Sequence, residues 1–282
     1  MAVIIDGKEI AKKTRENLKK EVEELKAINI KPKLAVVMVG DNAASKVYVK
    51  NKSKACNEVG VEYEEYFLNT NTTQKELIDL IKKLNEDTSV NGILLQSPLP
   101  PHLDINEAFQ TIDYRKDVDG FHPMNVGKLV LGQDTFVSCT PYGIMRLFEE
   151  YGIELCGKNV VILGRSNIVG KPLVQCCLNK NATVTVCHSK TKDVTEVARN
   201  ADVLISAIGK PNFVTENMVK DGAVVIDVGI NRLDTGKIVG DVDFENVSKK
   251  ASYITPVPGG VGPMTVAMLL NNVVKAAKQQ IK

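Results

Sequence analysis

The sequence predicts an α/β protein built as two α/β domains that flank a cleft. Short apolar runs of the length of buried strands alternate along the chain with longer segments of helical periodicity. This alternation occurs twice, and a predicted helix near residues 141–151 separates the two series. Strands that alternate with helices form parallel sheets, so we expect a mostly parallel sheet in each half.

The first series opens with a charged amphipathic helix over residues 7–27. A continuous apolar run at residues 34–39 ends in Gly40, which is typical of a buried strand. Asp41 and Asn42 are helix-start residues, and Gly60 is a helix stop. The series is completed by a strand near residues 61–68, a helix opened by the capping-box pair Thr73 and Glu76, and a strand at residues 92–96.

The second series has the same alternation. Its predicted elements are a strand at 159–163, a helix from Gly170, a strand at 183–187, a helix near 193–200, strands at 203–206 and 223–227, and a long helix from about Met264. We therefore predict one domain over residues 1–138, completed by the C-terminal helix at 264–282. The second predicted domain covers residues 139–263.

The composition excludes several classes of protein. The chain has a formal net charge of only +2 and 25% charged residues, which argues against a nucleic-acid or membrane partner. Its six cysteines form no Cys-x-x-Cys pair and its three histidines complete no clear zinc pattern. We therefore expect free thiols, no metal and a cytoplasmic location. Asp6 introduces a charge too early for a signal peptide, and no apolar run is long enough to span a bilayer.

The helix that begins after Asn42 carries a lysine on its apolar side. Lys50 and Lys54 lie two residues away from that lysine and point towards solvent. A lysine in apolar surroundings loses the hydration of its charge, which favours the neutral amine that a general acid or base needs. The alternative is that its stem only covers apolar surface along the helix. The predicted apolar stripe consists of Tyr48, Lys52, Ala55, Cys56 and Val59.

A glycine turn joins the first strand of the second series to its first helix. In parallel sheets, ligands bind beyond the carboxyl ends of the strands. The segment from Gly164 to Gly170 is not Gly-x-Gly-x-x-Gly, so the common dinucleotide fingerprint is absent. A glycine turn at a helix N-terminus still offers backbone N–H groups to a phosphate. The second domain is therefore predicted to be a Rossmann-like dinucleotide-binding domain, although the loop alone could be a simple tight turn.

The end of the next predicted strand favours NADP over NAD. An NAD site usually has a carboxylate about 20 residues after the glycine loop to bind the ribose 2′-OH. That place holds His188, Ser189 and Lys190, while Arg165 lies in the first loop. Cationic and hydroxyl groups suit a 2′-phosphate. The alternative is that Lys190 and Lys192 belong to a solvated loop.

Residues 255–265 form a Gly- and Pro-rich segment directly before the last helix. Glycines let the backbone approach a flat ligand, and prolines fix the path of the chain. We therefore interpret this segment as part of a ligand site.

Together these segments resemble the bifunctional methylenetetrahydrofolate dehydrogenase/methenyltetrahydrofolate cyclohydrolase family over nearly the whole chain. One mild departure is Ser138, where proline is expected. The residues that carry the resemblance are Tyr48-Val49-Lys50-Asn51-Lys52, Leu95-Gln96-Ser97-Pro98-Leu99-Pro100, Asp117-Val118-Asp119-Gly120-Phe121, Cys139-Thr140-Pro141, Gly164-Arg165-Ser166 and Pro258-Gly259-Gly260-Val261-Gly262-Pro263-Met264-Thr265.

The resemblance implies two consecutive reactions in one cleft. NADP⁺ takes a hydride from the methylene carbon of 5,10-methylenetetrahydrofolate, which gives the 5,10-methenyl cation. Water then adds to that carbon, and ring opening gives 10-formyltetrahydrofolate. The implied partners are tetrahydrofolate derivatives and a second copy of the chain, as a homodimer.

The resemblance also implies roles for individual residues. Lys52 is the general acid/base of hydration, Tyr48 packs on the folate and tunes Lys52, and Gln96 positions Lys52. Asp119 binds the N–H donors of the pterin ring, for which a carboxylate is a good acceptor. Further implied substrate-binding residues are Leu95, Ser97, Pro258, Gly259, Gly260, Val261 and Gly262, and implied cofactor-binding residues are Gly164, Arg165, Ser166, Ser189 and Ile230.

Three other functions stay open at this point. A dehydrogenase of another substrate, such as a hydroxy acid, would not need Tyr48, Lys52, Gln96 and Asp119 together. A monofunctional NAD(P)-dependent dehydrogenase of the same family should lack Lys52. A non-catalytic nucleotide-binding regulator should have lesions in the catalytic set, and this sequence has none.

Overall fold

The computed structural model describes residues 2–280, whose contacts divide them into two compact units. The three-strand unit consists of Lys12–Val137 and residues 266–280, and the six-strand unit consists of residues 2–11 and Ser138–Thr265. Residues 2–11, which the predicted boundaries place with the first domain, group with the six-strand unit because their short strand joins its sheet.

The elements of the first part of the chain follow the predicted alternation. In chain order they are β1 (Val3–Ile4), α1 (Gly7–Ala27), β2 (Lys33–Val39), α2 (Ala43–Val59), β3 (Glu62–Leu68), α3 (Gln74–Glu86), β4 (Gly92–Leu95), α4 (Ile105–Thr111) and α5 (Pro123–Val130).

The second part continues the alternation with shorter elements. They are α6 (Cys139–Glu150), β5 (Asn159–Leu163), α7 (Gly170–Leu178), β6 (Thr183–Cys187), α8 (Val194–Arg199), β7 (Val203–Ser206), β8 (Val224–Asp227), β9 (Asn231–Arg232), β10 (Ile238–Val239), α9 (Phe244–Val247), β11 (Tyr253–Ile254) and α10 (Val261–Gln279), with a 3₁₀ turn at Glu216–Met218.

The three-strand unit contains a parallel sheet in the order β3-β2-β4. The central strand β2 is buried from Leu34 to Val39, which explains its continuous apolar run. Helix α3 packs Leu77 and Ile81 into the core beside this sheet. Its predicted capping box is present in both directions, since Thr73 accepts from the Glu76 N–H and the Glu76 side chain accepts from the Thr73 N–H.

The six-strand unit has a parallel sheet in the order β1-β11-β8-β7-β5-β6. The predicted α/β class with a mostly parallel sheet is therefore confirmed. Strands β9 and β10 form a separate antiparallel pair. Strands β1, β9, β10 and β11 were not predicted, because two residues are too few to show a period. Helix α10 begins at Val261, before the predicted Met264, since proline fits the first turn of a helix and Pro263 does not stop it.

In the six-strand unit, the loops predicted to belong to the site follow strands that end at the same edge of the sheet. Leu163 of β5 is in register with Cys187 of β6 and with Ser206 of β7, and Ser206 is in register with Asp227 of β8. The loops that follow these four residues therefore leave the same edge of the sheet. None of the helices within residues 2–280 is long and apolar enough to cross a membrane.

We predict that Gly92→Ala destabilises the three-strand unit. A Cβ at this position of β4 would lie 2.6 Å from Val118 Cγ1 and 3.3 Å from Val273 Cγ2, and both valines are fully buried. Overpacking of this kind costs about 1–3 kcal/mol of unfolding free energy. The measurement is chemical denaturation of the purified variant.

The matched control is Gly127→Ala on helix α5. A Cβ there has no heavy atom within 4 Å, so alanine should stabilise the helix by up to about 1 kcal/mol through its lower chain entropy. Equal unfolding free energies for the two variants would contradict the packing described for Gly92.

Candidate active site

Helix α2 carries Lys52 along its buried side. The Asn42 side chain accepts from the Ser45 N–H at 3.0 Å, and Gly60 ends the helix with a left-handed backbone, as the sequence predicts. Lys52 is half-buried, whereas Lys50 and Lys54 are exposed. Tyr48 lies at the edge of the stripe with 49% of its surface exposed. The buried positions on the line through Lys52, spaced alternately by four and three residues, are Ser45, Val49, Cys56 and Val59.

A neutral acceptor fixes the amine of Lys52. Lys52 Nζ donates to Gln96 Oε1 at 3.0 Å. Gln96 directly follows β4, and its own Nε2 donates to the Ser97 carbonyl at 2.7 Å. The Gln96 backbone N–H donates to the Val37 carbonyl of β2, so the rigid sheet determines where this amide oxygen lies. The acceptor that orients the Lys52 amine is therefore a neutral amide oxygen and not a carboxylate.

Two neutral groups, the Cys56 thiol and the Tyr63 hydroxyl, lie on or beside helix α2. Burial raises the pKa of the Cys56 thiol to about 12, an effect that the positive charge of Lys52 opposes, so Cys56 is a neutral side chain one turn from Lys52. The Tyr63 hydroxyl donates to the Val49 carbonyl at 3.3 Å. Burial raises the pKa of Tyr63, so that this hydroxyl keeps its proton and ties α2 to strand β3.

Asp119 lies half-buried on a loop that a second carboxylate stabilises. Asp117 is only 2% exposed, and its Oδ2 accepts from the His122 N–H and from Asn125 Nδ2, both at 2.8 Å. Burial raises the pKa of Asp117, while these donors favour its ionised form. Asn272 Nδ2 of α10 donates to the Val118 carbonyl at 2.8 Å. The backbone on either side of Asp119 is therefore held in place.

In the six-strand unit, the turn after β5 requires glycine. Gly164 has φ of +113°, and a Cβ there would lie 2.4 Å from the Ala207 carbonyl oxygen. A Cβ on Gly170 would lie 2.4 Å from the Gly164 carbonyl oxygen. Ser166 Oγ accepts from the Gly170 N–H at 3.4 Å, while the Arg165 side chain is exposed. The turn is thus close to the start of α7, as the sequence predicts for a phosphate-binding loop.

The turn after β6 lies next to this loop. The Gly164 N–H donates to the Cys187 carbonyl at 2.9 Å, so Arg165 and Ser189 each follow one of two paired strand ends. The His188 N–H donates to Thr191 Oγ1, and His188 Nδ1 accepts from the Lys190 N–H, which closes the turn. Ser189 and Lys190 are exposed. Hydroxyl and cationic groups therefore stand at this edge.

The loop after β8 carries Ile230, whose side chain is 55% exposed. Before it, Asp227 is 3% exposed and accepts from the Gly229, Asp241 and Val242 N–H groups, each at 2.9 Å. Burial and, to a lesser extent, the charge of Asp241 raise the pKa of Asp227 to about 6, against the effect of the three donors. The loop is therefore anchored on one side by a carboxylate.

The Gly- and Pro-rich segment packs against the start of the chain. A Cβ on Gly7 would lie 1.7 Å from the Gly260 carbonyl oxygen, and the Lys8 N–H donates to the Gly259 carbonyl at 3.1 Å. Pro258 and Gly262 are exposed, whereas Val261 is 3% exposed.

The structure separates the predicted site residues into two sets. The three-strand unit holds Tyr48, Lys52, Leu95, Gln96, Ser97 and Asp119, and the six-strand unit holds Gly164, Arg165, Ser166, Ser189, Ile230, Pro258, Gly259, Gly260, Val261 and Gly262. Among the first set, Lys52 and Gln96 are in direct contact. The side chains of Leu95 and Val261 are core residues at 2% and 3% exposure, so a ligand would meet their backbone rather than their side chains.

Sequence reasoning missed Asp241 entirely, and Asp117 and Asp227 were noted only as strand-end or loop residues. Their hydrogen bonds to loops are non-local, and no local pattern marks them. Two glycines are the available signals, since a Cβ on Gly240 would lie 1.8 Å from Asp227 Oδ2 and a Cβ on Gly229 would lie 2.2 Å from Asp241 Oδ1.

Two domain families match the sequence. Residues 5–119 match the family described as tetrahydrofolate dehydrogenase/cyclohydrolase, catalytic domain. Residues 138–281 match the family described as tetrahydrofolate dehydrogenase/cyclohydrolase, NAD(P)-binding domain. Together these matches cover most of the chain.

Curated relatives and solved structures agree with these matches. The chain is 59% identical over 278 residues to "Bifunctional protein FolD" of Campylobacter concisus, which covers 99% of this chain and 98% of that one. A crystal structure of the bifunctional enzyme FolD, methylenetetrahydrofolate dehydrogenase/cyclohydrolase, from Campylobacter jejuni is 55% identical, covers 100% of both chains and has a TM-score of 0.99. The Trypanosoma brucei enzyme, solved with NADP cofactor and an inhibitor, is 40% identical over 99% of this chain and 98% of that one, with a TM-score of 0.94.

Proposed function

Because this chain belongs to the tetrahydrofolate dehydrogenase/cyclohydrolase family, we propose that Lys52 is the general acid/base of its cyclohydrolase reaction. The enzyme is bifunctional: it oxidises 5,10-methylenetetrahydrofolate to the 5,10-methenyl form with NADP⁺, and it hydrolyses that product to 10-formyltetrahydrofolate. The observation that carries the proposal is the 3.0 Å hydrogen bond from Lys52 Nζ to Gln96 Oε1 on the buried side of α2.

Hydration needs a base next to a cationic carbon. In the neutral form, Lys52 takes a proton from the attacking water as the new C–O bond forms at the methenyl carbon. A protonated amine would repel the cationic substrate, so a neutral acceptor such as Gln96 suits this step better than a carboxylate, which would favour the charged lysine. The ring opens when N5 gains a proton and its bond to the carbon breaks, while the hydroxyl of the water adduct loses its proton and becomes the formyl C=O. The formyl group then remains on N10.

Other residues of the three-strand unit bind the folate. Tyr48, half-exposed one turn before Lys52, packs on the folate ring and tunes the amine. Asp119 accepts hydrogen bonds from the pterin N–H groups, and Leu95 and Ser97 contribute backbone contacts beside Gln96. Ligand titration of Asp119→Ala tests its role, since loss of NADP⁺ binding as strong as the loss of folate binding would contradict it. We also propose that the folate-binding residues of the six-strand unit, Pro258, Gly259, Gly260, Val261 and Gly262, contribute backbone surface.

The residues of the six-strand unit fit NADP. Gly164 keeps the turn after β5 free of a side chain that would collide with Ala207, so a phosphate can approach the backbone at the start of α7. Arg165 and Ser189 hold the 2′-phosphate at the paired ends of β5 and β6, and Ser166 and Ile230 are further contacts of the cofactor. When bound, NADP⁺ accepts the hydride of the first reaction.

We also propose that the enzyme is a homodimer of the cytoplasm. The family resemblance supports the dimer, and the cysteines support the reducing compartment, since all six described thiols are free. Sedimentation equilibrium that gives the 30.8 kDa mass of one chain at micromolar concentration would contradict the dimer.

Two narrower functions are less well supported. A monofunctional dehydrogenase would not need a lysine amine oriented by Gln96. A non-catalytic regulator would need neither that amine nor the carboxylate on the loop that carries Asp119. The assay of both reactions in the wild type separates these functions from the proposed one.

We predict that Lys52→Met lowers cyclohydrolase kcat at least 100-fold, because methionine has similar bulk but no nitrogen to take the proton. The measurement is the loss of methenyltetrahydrofolate absorbance above the uncatalysed rate. Lys54→Met is the matched control, since Lys54 lies two residues away and is exposed, and it should change the rate less than twofold. A wild-type rate in folded Lys52→Met would show that another group is the base.

We predict that Arg165→Ala erodes the preference for NADP⁺ over NAD⁺. A charge-assisted hydrogen bond to the 2′-phosphate is worth roughly 1.5–3 kcal/mol, so the ratio of the two kcat/KM values should fall by about 10- to 150-fold. NAD⁺ lacks this phosphate, so its own kcat/KM should change little. Arg199→Ala removes another exposed arginine of the same unit and should leave the ratio unchanged. If the ratio stays constant in Arg165→Ala, this arginine does not bind the phosphate.

A further inference from the structure

Asp241, between β10 and α9, is a fully buried carboxylate that none of the proposed steps uses. Its side chain accepts five hydrogen bonds, which is close to the capacity of a carboxylate. Oδ2 accepts from Ser206 Oγ at 3.1 Å, the Ile208 N–H at 2.8 Å and the Gly209 N–H at 3.2 Å, and Oδ1 accepts from the Lys210 N–H at 2.9 Å and Asn231 Nδ2 at 3.0 Å.

Three of these donors are successive backbone N–H groups of one loop. Such a run of N–H groups forms a concave anion-binding site, which in many proteins receives a phosphate. Here the loop from Ile208 to Lys210, directly after β7, has its site filled by the protein's own carboxylate. The shape of this loop is therefore determined by Asp241.

The same carboxylate supports the neighbouring loop after β8. The Asn231 side chain donates to Asp241, and a Cβ on Gly229 would lie 2.2 Å from Asp241 Oδ1. Gly229 and Asn231 flank Ile230, whose side chain stays 55% exposed. Asp241 thus accepts a hydrogen bond from the side chain of the residue after Ile230 and lies against the residue before it.

Both loops leave the edge of the sheet where ligands bind. Ser206 of β7 and Asp227 of β8 are in register, so the loops begin side by side at the carboxyl ends of adjacent parallel strands. The nucleotide is proposed to contact Ile230 at this edge. A carboxylate that determines both loops therefore also determines the surface offered to the nucleotide.

We infer that Asp241 is a positioning residue of the dehydrogenase reaction, which sets the affinity for NADP⁺ through the loops at 208–210 and 229–231 and has no part in hydration. This inference rests on the proposed function, because it takes Ile230 as a nucleotide contact. Hydration transfers no electrons and needs no nucleotide. A change at Asp241 should therefore affect the dehydrogenase reaction and leave the cyclohydrolase reaction of the same protein unchanged.

Asp117 offers a matched carboxylate in the other unit. It is also buried, at 2% exposure, and it holds the loop that carries Asp119 through the His122 N–H and Asn125 Nδ2. If a buried carboxylate controls only the loop that it holds, Asp117 should affect folate binding and not NADP⁺ binding. Substitution of Asp117 should therefore weaken folate binding, whereas substitution of Asp241 should weaken NADP⁺ binding.

The experiment compares Asp241→Asn and Asp117→Asn with the wild type in both reactions. In Asp241→Asn an NH₂ group faces N–H donors, so the loops lose at least two hydrogen bonds. We expect its KM for NADP⁺ to rise at least tenfold, while its KM for methylenetetrahydrofolate and its cyclohydrolase rate stay within twofold. For Asp117→Asn we expect a higher KM for folate in both reactions and an unchanged Kd for NADP⁺. Circular dichroism and thermal melting give the folded fraction of each variant.

A merely structural role predicts a different pattern. If Asp241→Asn lowers both activities in proportion to its folded fraction, or changes neither, the inference is wrong. Ser206→Ala removes one hydroxyl donor to Asp241 and leaves the backbone N–H donors of the loop in place. The Ser206 side chain is fully buried, so the KM of this variant for NADP⁺ should rise less than threefold. An effect as large as that of Asp241→Asn would also overturn the inference.

Asn231→Ala keeps the test decisive if Asp241→Asn does not fold. It removes a single donor from a half-buried amide, and we expect a rise of at least threefold in KM for NADP⁺ with an unchanged cyclohydrolase rate. Equal loss of both activities would overturn the inference. A wild type without NADP⁺ reduction or hydrolysis would instead overturn the proposed function, so the wild-type assay distinguishes the two failures.

Discussion

Buried carboxylates that accept backbone N–H groups are the interaction on which the loops of both units depend. A loop shaped for a ligand cannot continue the hydrogen bonds of its sheet, and a buried N–H without an acceptor costs about 1–3 kcal/mol. Asp117, Asp227 and Asp241 are each at most 3% exposed, and each accepts from backbone N–H groups of a loop. Burial raises the pKa of Asp117 and of Asp227, so the donors are what keep such groups useful as acceptors. The loops and the carboxylates thus stabilise each other.

Lys52 of the three-strand unit and Arg165 of the six-strand unit lie in different surroundings, and the difference fits the roles that we propose for them. Lys52 is half-buried, has the neutral amide of Gln96 as its acceptor and lies one turn from the neutral thiol of Cys56. A neutral amide thus orients the amine that we propose as the base, and no carboxylate accepts its hydrogen bond. Arg165 is exposed on a tight turn at the edge of the six-strand sheet, where we propose that its guanidinium binds the 2′-phosphate.

Much of this arrangement could be predicted from local sequence. The run from Leu34 to Val39 is a central strand, the Asn42 and Gly60 signals bound α2, and Thr73 with Glu76 forms the capping box. Each of these signals depends on side chains within a few residues of one another, so it predicts the same local structure whatever the surrounding fold. The start of α10 was wrong by three residues because Pro263, read as part of a loop, occupies the first turn of the helix.

The residues that no local pattern marks are those whose partners are distant in sequence. Asp241 contacts Ser206 across 35 positions, and strand β1 pairs with β11 some 250 residues later, where neither partner has a periodicity of its own. Catalytic and binding residues at strand ends can be found from sequence, because a strand and the turn after it are contiguous. The acceptor that holds such a turn can come from any segment that folds beneath it. Its only sequence requirements are a short carboxylate and room around it, which Gly229 and Gly240 provide here. Predicting such a residue therefore requires the topology first, and the chemistry of the loop then indicates where a carboxylate must lie.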